Sequence, residues 1–140
     1  MKKITLLLII SVFAGITLCY AGKYQHLQTN EGVEFYYKWK NSKIFDKASP
    51  LVLIVKIKNT NIYALEVAYT VDYFWDGITK ASSDKKTTCI KQKKAIVLDG
   101  RKQGFDTAGL SNEQILSESF VMEINGVAIQ KTEMCIKKKS

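Results

Sequence analysis

The stretch IYALEVAYTVDYFWDG, residues 62–77, constrains the fold more than any other part of this chain. Every second position gives Tyr63, Leu65, Val67, Tyr69, Val71, Tyr73 and Trp75, all large and apolar or aromatic. The intervening set, Ala64, Glu66, Ala68, Thr70, Asp72, Phe74 and Asp76, is mostly small or acidic. Successive side chains of a strand point to opposite faces, so a period of two over this length predicts one long strand with one buried face. Wound as a helix, the same residues would spread around the cylinder. Tyr63, Tyr69, Tyr73 and Trp75 are therefore expected to face inward, and Phe74 outward.

The preceding segments follow the same rule. GVEFYYKWK alternates Val33, Phe35, Tyr37 and Trp39 with Glu34, Tyr36, Lys38 and Lys40. In LVLIVKIK, Leu51, Leu53, Val55 and Ile57 form the inner set and Lys56 and Lys58 the outer one. Val52 and Ile54 make the first half of that strand apolar on both sides, which predicts a central or covered position. Pro50 stands just before it, where a strand can begin without losing a ladder bond. Asn59-Thr60-Asn61 joins this strand to the aromatic one, either as a hairpin loop or as an arch between two sheets.

Near the C-terminus, SFVMEINGVAIQ sets Asn125-Gly126 between two apolar-alternating runs. That is the signature of a hairpin with a type I′ turn, and it would place Phe120, Met122, Ile124, Val127 and Ile129 on one face. Elsewhere, ITKASSDKKTT reads as a polar loop and TTCIK as a short strand. Ala95 to Leu98 reads as another strand, closed by a turn at Asp99-Gly100, with a further short strand near Phe105. Ser111 and Gln114 fit a capping box, so one short helical turn is expected there.

The first 21 residues form a separate unit. Lys2 and Lys3 precede an uncharged, largely apolar run of about 15 residues, Ile4 to Leu18, the length of an export-signal core. A membrane span needs about 20 apolar residues. Cleavage after Ala21 is therefore favoured over an uncleaved anchor, and Leu18 argues against lipidation at Cys19. Residues 22–140 would then be one domain, with a flexible arm over 22–32 and a basic tail over 137–140. The protein is expected to be periplasmic or secreted, and monomeric. Cys89 and Cys135 would be its only cysteines, and an even pair in an exported protein reads as a disulfide.

About seven strands, one bridge and almost no helix predict an all-β, two-layer antiparallel sandwich, with a small closed barrel as the alternative. The run LVLIVKIKNTNIYALEVAYTVDYFWDG, followed by a Cys-bearing strand and a terminal hairpin, resembles secreted bacterial immunoglobulin-like or fibronectin-III-like domains. The likeness covers about 80 residues and is structural. It implies a sandwich with a binding or spacer role. Both cysteines lie after Trp75, unlike the antibody-type bridge, so only the architecture is implied.

The sequence carries little chemistry. Its one histidine, His26, lies near the N-terminus of the exported chain, and both cysteines are expected to be bridged. No phosphate loop, paired-histidine metal motif or calcium loop is present, so no metal or other cofactor is expected. Asp72 and Asp76 share a face, but strand rise sets them about 13 Å apart, beyond the reach of a glycosidase carboxylate pair. An enzyme is not expected. Setting Lys2 and Lys3 aside leaves 19 basic against 13 acidic side chains. All but Arg101 of the basic residues are lysine, which lacks the guanidinium fork of phosphate-recognising surfaces, so a nucleic-acid partner is not expected.

Three readings follow. A protein partner could bind at an edge strand or at loops. A glycan could stack on outward aromatics, with Tyr36, Phe74, Asp76 and Lys38 as the ligand-facing candidates. An inhibitor of an extracellular hydrolase would need a rigid protruding loop, for which GITKASSDKK is the candidate.

Overall fold

The computed structural model describes residues 22–136. The export segment expected over 1–21 and the basic tail over 137–140 lie outside them. The strands are β1 (Gln25–Asn30), β2 (Val33–Asn41), β3 (Leu51–Asn59), β4 (Ala64–Trp75), β5 (Ile78–Ser82), β6 (Lys86–Ile90), β7 (Ala95–Asp99) and β8 (Phe120–Thr132). Two short helices, α1 (Gly100–Gln103) and α2 (Asn112–Ile115), lie between β7 and β8. One antiparallel sheet has the order β1-β2-β3-β7. In the other, β4 is central, with β5 and β6 along one edge and β8 along the other. The two sheets form a sandwich, and the barrel alternative is not adopted.

Alternation sets the core. Leu65, Val67, Tyr69, Val71 and Tyr73 of β4 are buried and meet Val33, Phe35, Leu53, Val55 and Ile57 of the facing sheet. Aromatic contacts cross the interface: Phe35 meets Tyr69 edge-on at 5.8 Å, and Trp39 meets Phe120 at 5.7 Å. Tyr63 and Trp75, at the two ends of the aromatic segment, are half-buried at the rim. Lys131 Nζ lies 4.7 Å from the Tyr63 ring centroid and Lys80 Nζ 5.5 Å from that of Trp75. Val52 and Ile54 are buried as expected, because β3 is flanked by β2 and β7. Where β7 ends, α1 takes over the β3 edge. A Cβ on Gly100 would lie 2.6 Å from the Leu53 carbonyl oxygen, which only glycine avoids.

The link between β3 and β4 is an arch. Asn59, fully buried, donates through Nδ2 to the Tyr63 carbonyl at 2.8 Å and accepts from the Asn61 amide at 2.9 Å. A buried amide satisfied on both sides fixes the crossing between layers.

Several expectations are corrected. The terminal hairpin is instead one continuous strand, β8, paired with β4 along almost its whole length. The register shifts by one residue between Ala68 and Thr70, opposite Gly126, whose φ of 58° is left-handed. This is a bulge led by glycine, and it restores Val127 and Ile129 to the face of Met122 and Ile124. A two-residue turn and a one-residue bulge both resolve the same break in parity. The twelve residues of β4 supply a partner long enough for the bulge. The arm expected over 22–32 contains β1, joined to β2 by a turn with positive φ at Glu31 and Gly32. The polar loop ITKASSDKKTT contains β5 and the start of β6. The short strand expected near Phe105 is absent; that ring is buried in the segment after α1. Helical turns number two rather than one, and the Ser111–Gln114 capping box is formed in α2.

Cys89 and Cys135 are bridged, with Cα atoms 5.5 Å apart. Cys89 stands opposite Glu66, an exposed outer-face residue of β4. Counting on in twos from Val127 and Ile129 would turn Cys135 inward, whereas the bridge lies on the outside of the sheet. No helix among the described residues is long and apolar enough to cross a membrane.

Candidate functional site

The loop between β2 and β3 starts in a turn-rich sequence, NSKIFDKASP, residues 41–50. Asn, Ser and Asp side chains bond readily to nearby backbone, and here they hold the chain in a fixed path. Asn41 Nδ2 donates to the carbonyls of Lys47 at 2.9 Å and Ser49 at 3.0 Å. Asp46 Oδ1 accepts from the Ala48 amide at 3.0 Å. The Ser49 hydroxyl, almost fully buried, accepts from the Lys43 amide at 3.1 Å and donates to the Asp46 carbonyl at 2.6 Å.

Two residues from the far side of the chain brace the base of the loop. Asn112, the first residue of α2, donates through Nδ2 to the Ser49 carbonyl at 3.0 Å and accepts from the Leu51 amide at 2.9 Å. Arg101 Nη1 reaches the Ser42 carbonyl at 3.3 Å. The guanidinium is itself held by Asp99, whose Oδ2 is 2.7 Å from Nη2. Hydrogen bonding from Arg101 keeps the Asp99 carboxyl well below the usual carboxylate range, and Lys40 at 3.6 Å adds to this. Its partial burial works the other way and is outweighed.

At the tip of this braced loop stand Ile44, 89% exposed, and Phe45, 99% exposed. Lys43 and Lys47, both exposed, flank them. Isolated exposed apolar residues are ordinary. Two adjacent ones, nearly bare at the tip of a loop held at its base by hydrogen bonds, leave unused about 1.5–3 kcal/mol of burial free energy each. The sequence held a signal for this site, since Ile44 and Phe45 belong to neither flanking strand's alternation. A search for periodic runs passes over it.

The four sequence candidates do not meet in one place. Tyr36 and Lys38 lie on the outer face of the β1–β2–β3 sheet, where the Tyr36 hydroxyl donates to Glu34 Oε2 at 2.9 Å. Glu34 also pairs with Lys58 at 3.1 Å, and Lys58 and Tyr36 together lower its carboxyl's proton affinity. The shared bond with Glu34 raises the Tyr36 phenol in turn. Phe74 lies on the outer face of the other sheet, opposite Val121, and Asp76 sits in the turn before β5 with φ 53°. Tyr36 and Phe74 therefore cannot form one stacking platform. Asp72 is held by Ser82 and by Asn125 Nδ2, the latter at 2.7 Å. Half of the expected inhibitor loop GITKASSDKK is β5, and just beyond it the Ser83 amide donates to the Val71 carbonyl at 2.8 Å.

Beside the disulfide, at the other end of the sandwich, a recess of about 430 Å³ is lined by Ile62, Tyr63, Lys131 and Met134 among others. Among the described residues, no group of three or more His, Cys, Asp or Glu is placed to hold a metal ion. Comparison with protein-family models, curated proteins and solved structures finds no match to this chain.

Proposed function

We propose that this chain is an exported, non-enzymatic β-sandwich module that binds a protein partner through the loop of residues 42–49, with Phe45 and Ile44 as anchors. The observation that carries this reading is a loop braced at its base by hydrogen bonds and offering two bare apolar side chains. A few anchor side chains that fill pockets on the partner carry most of an interface's energy, and holding them in place beforehand lowers the cost of ordering them. In this reading the two-sheet sandwich is immunoglobulin-like. What supports this is that β3 pairs with β7 and β4 with β8, antiparallel, as strands B and E and strands C and F would, and the end loops of such folds commonly bind partners. The edge strands are weaker candidates. The edges β1 and β8 carry register breaks, and bulged edges resist addition of a further strand, while β7, the edge opposite β1, is only five residues long.

The test is site-specific photo-crosslinking in the exporting organism, with the photoreactive residue placed at position 45 and, as a control, at exposed Val97. A protein adduct specific to position 45 is expected. Binding of that protein to the Ile44→Ser/Phe45→Ser variant should fall at least about a hundredfold, with unfolding unchanged to within about 0.5 kcal/mol. Equal binding by the variant would refute the reading. So would an adduct to lipid alone, which would make the tip a membrane wedge.

A further inference from the structure

A separate set of residues lies on the outer face of the β1–β2–β3 sheet. Strand parity turns Tyr36 and Lys38 of β2 outward, and Lys56 is the direct cross-strand neighbour of Tyr36 on β3. Tyr24, just before β1, completes the group. Lys38 Nζ lies 4.5 Å and Lys56 Nζ 5.3 Å from the centroid of the Tyr24 ring, and Lys56 Nζ lies 5.7 Å from that of Tyr36. All four side chains are half-buried against one another. Tyr36 is held further by an edge-on contact with His26 at 5.3 Å and by its bond to Glu34.

The charges on this face are unevenly matched. Lys58 is paired with Glu34, and Lys40 and Arg101 share Asp99. Lys38 and Lys56 form no ion pair among the described residues; their partners are ring faces. An aromatic ring at a protein surface is a weak partner for an ammonium compared with an anion. Two ammoniums brought to one ring also repel, and an anion between them would relieve that repulsion.

We propose that this face binds an acidic polysaccharide, its carboxylates on Lys38 and Lys56 and its sugar rings against Tyr24 and Tyr36. Charge complementarity argues for an anion, and two phenol rings that share the Lys56 ammonium suit a sugar. Phosphate-rich ligands fit less well, because Arg101, the one arginine, is occupied at the end of the sheet. A bilayer fits less well too, since none of the bare apolar side chains belongs to this group.

The test is affinity electrophoresis of the purified protein in gels containing polygalacturonate, with neutral dextran gels and phosphatidylglycerol vesicles as comparisons. Retardation in polygalacturonate but not in dextran is expected. Lys38→Gln/Lys56→Gln should weaken it about tenfold. Tyr24→Ala should weaken it too, while the charge-matched Lys85→Gln/Lys94→Gln, at exposed positions, should change it less than about twofold. Thermal melts confirm that each variant is folded. Equal loss in the charge-matched variant would overturn the proposal, reducing the effect to net charge. No retardation, indifference to Tyr24→Ala, or vesicle binding in place of polygalacturonate binding would overturn it as well. Ile44→Ser/Phe45→Ser should leave retardation unchanged, so this site and the loop fail or stand separately.

Discussion

Asn112→Ala tests whether the loop of residues 42–49 acts as a preformed anchor. Asn112 touches neither Ile44 nor Phe45; it holds the base of the loop through Ser49 and the first amide of β3 through Leu51. Two neutral hydrogen bonds contribute about 0.5–1.5 kcal/mol each, and leaving the Leu51 amide unpaired adds to the loss. Ser49 and Leu51 are only 4% and 9% exposed, so water replaces the lost partner poorly. The expected destabilisation is about 2–3 kcal/mol. Urea unfolding would show this as a lower midpoint with an unchanged slope, because the core is intact. Asn112→Asp keeps the acceptor for Leu51 and loses the donor to Ser49, so roughly half the loss is expected. The functional consequence is separate. With its brace gone, the loop must be ordered on binding, and affinity for the crosslinked partner should fall about tenfold although both anchors remain. A loss of stability below about 0.5 kcal/mol would show that Asn112 is no brace. A full loss of stability with unchanged affinity would show that preorganisation of the tip does not matter.

Two further outcomes are expected. Replacing both Cys89 and Cys135 by serine frees a segment whose ends are 46 residues apart, which in the chain-entropy model lowers stability by up to about 4 kcal/mol. Because the bridge lies outside the core, the variant should still fold, and retained cooperativity in urea with a raised m-value checks this. Asp99, with its carboxyl depressed by Arg101, contributes stability that is complete above about pH 4 and drains away as pH falls further. Arg101→Gln should therefore flatten the acid side of a melting-temperature profile, and a profile of unchanged slope would contradict the assignment.

The sequence by itself determined the strands that keep a strict period of two, β2, β3 and β4, and which face of each turns inward. Cβ atoms alternate across a strand whatever it pairs with, so Phe35, Val67, Tyr69 and Tyr73 could be placed in the core from period alone. The Ser111 cap was legible because it depends on local chemistry, and the cysteine pair because setting Cys19 aside leaves a single possible bridge. Pairing was not local. Glycine in the left-handed region at position 126 serves a hairpin turn and a bulge equally, and only the length of β4 beside it chose the bulge. Asn59-Thr60-Asn61 could close a hairpin or an arch until the buried Asn59 amide found Tyr63 and Asn61. The candidate loop belongs to the same class. Nothing in NSKIFDKASP announces rigidity, because its brace comes from Asn112 and Arg101, about sixty residues away in the chain. Exposure of Ile44 and Phe45 is likewise decided by what fails to cover them, and that is a property of the assembled sheets.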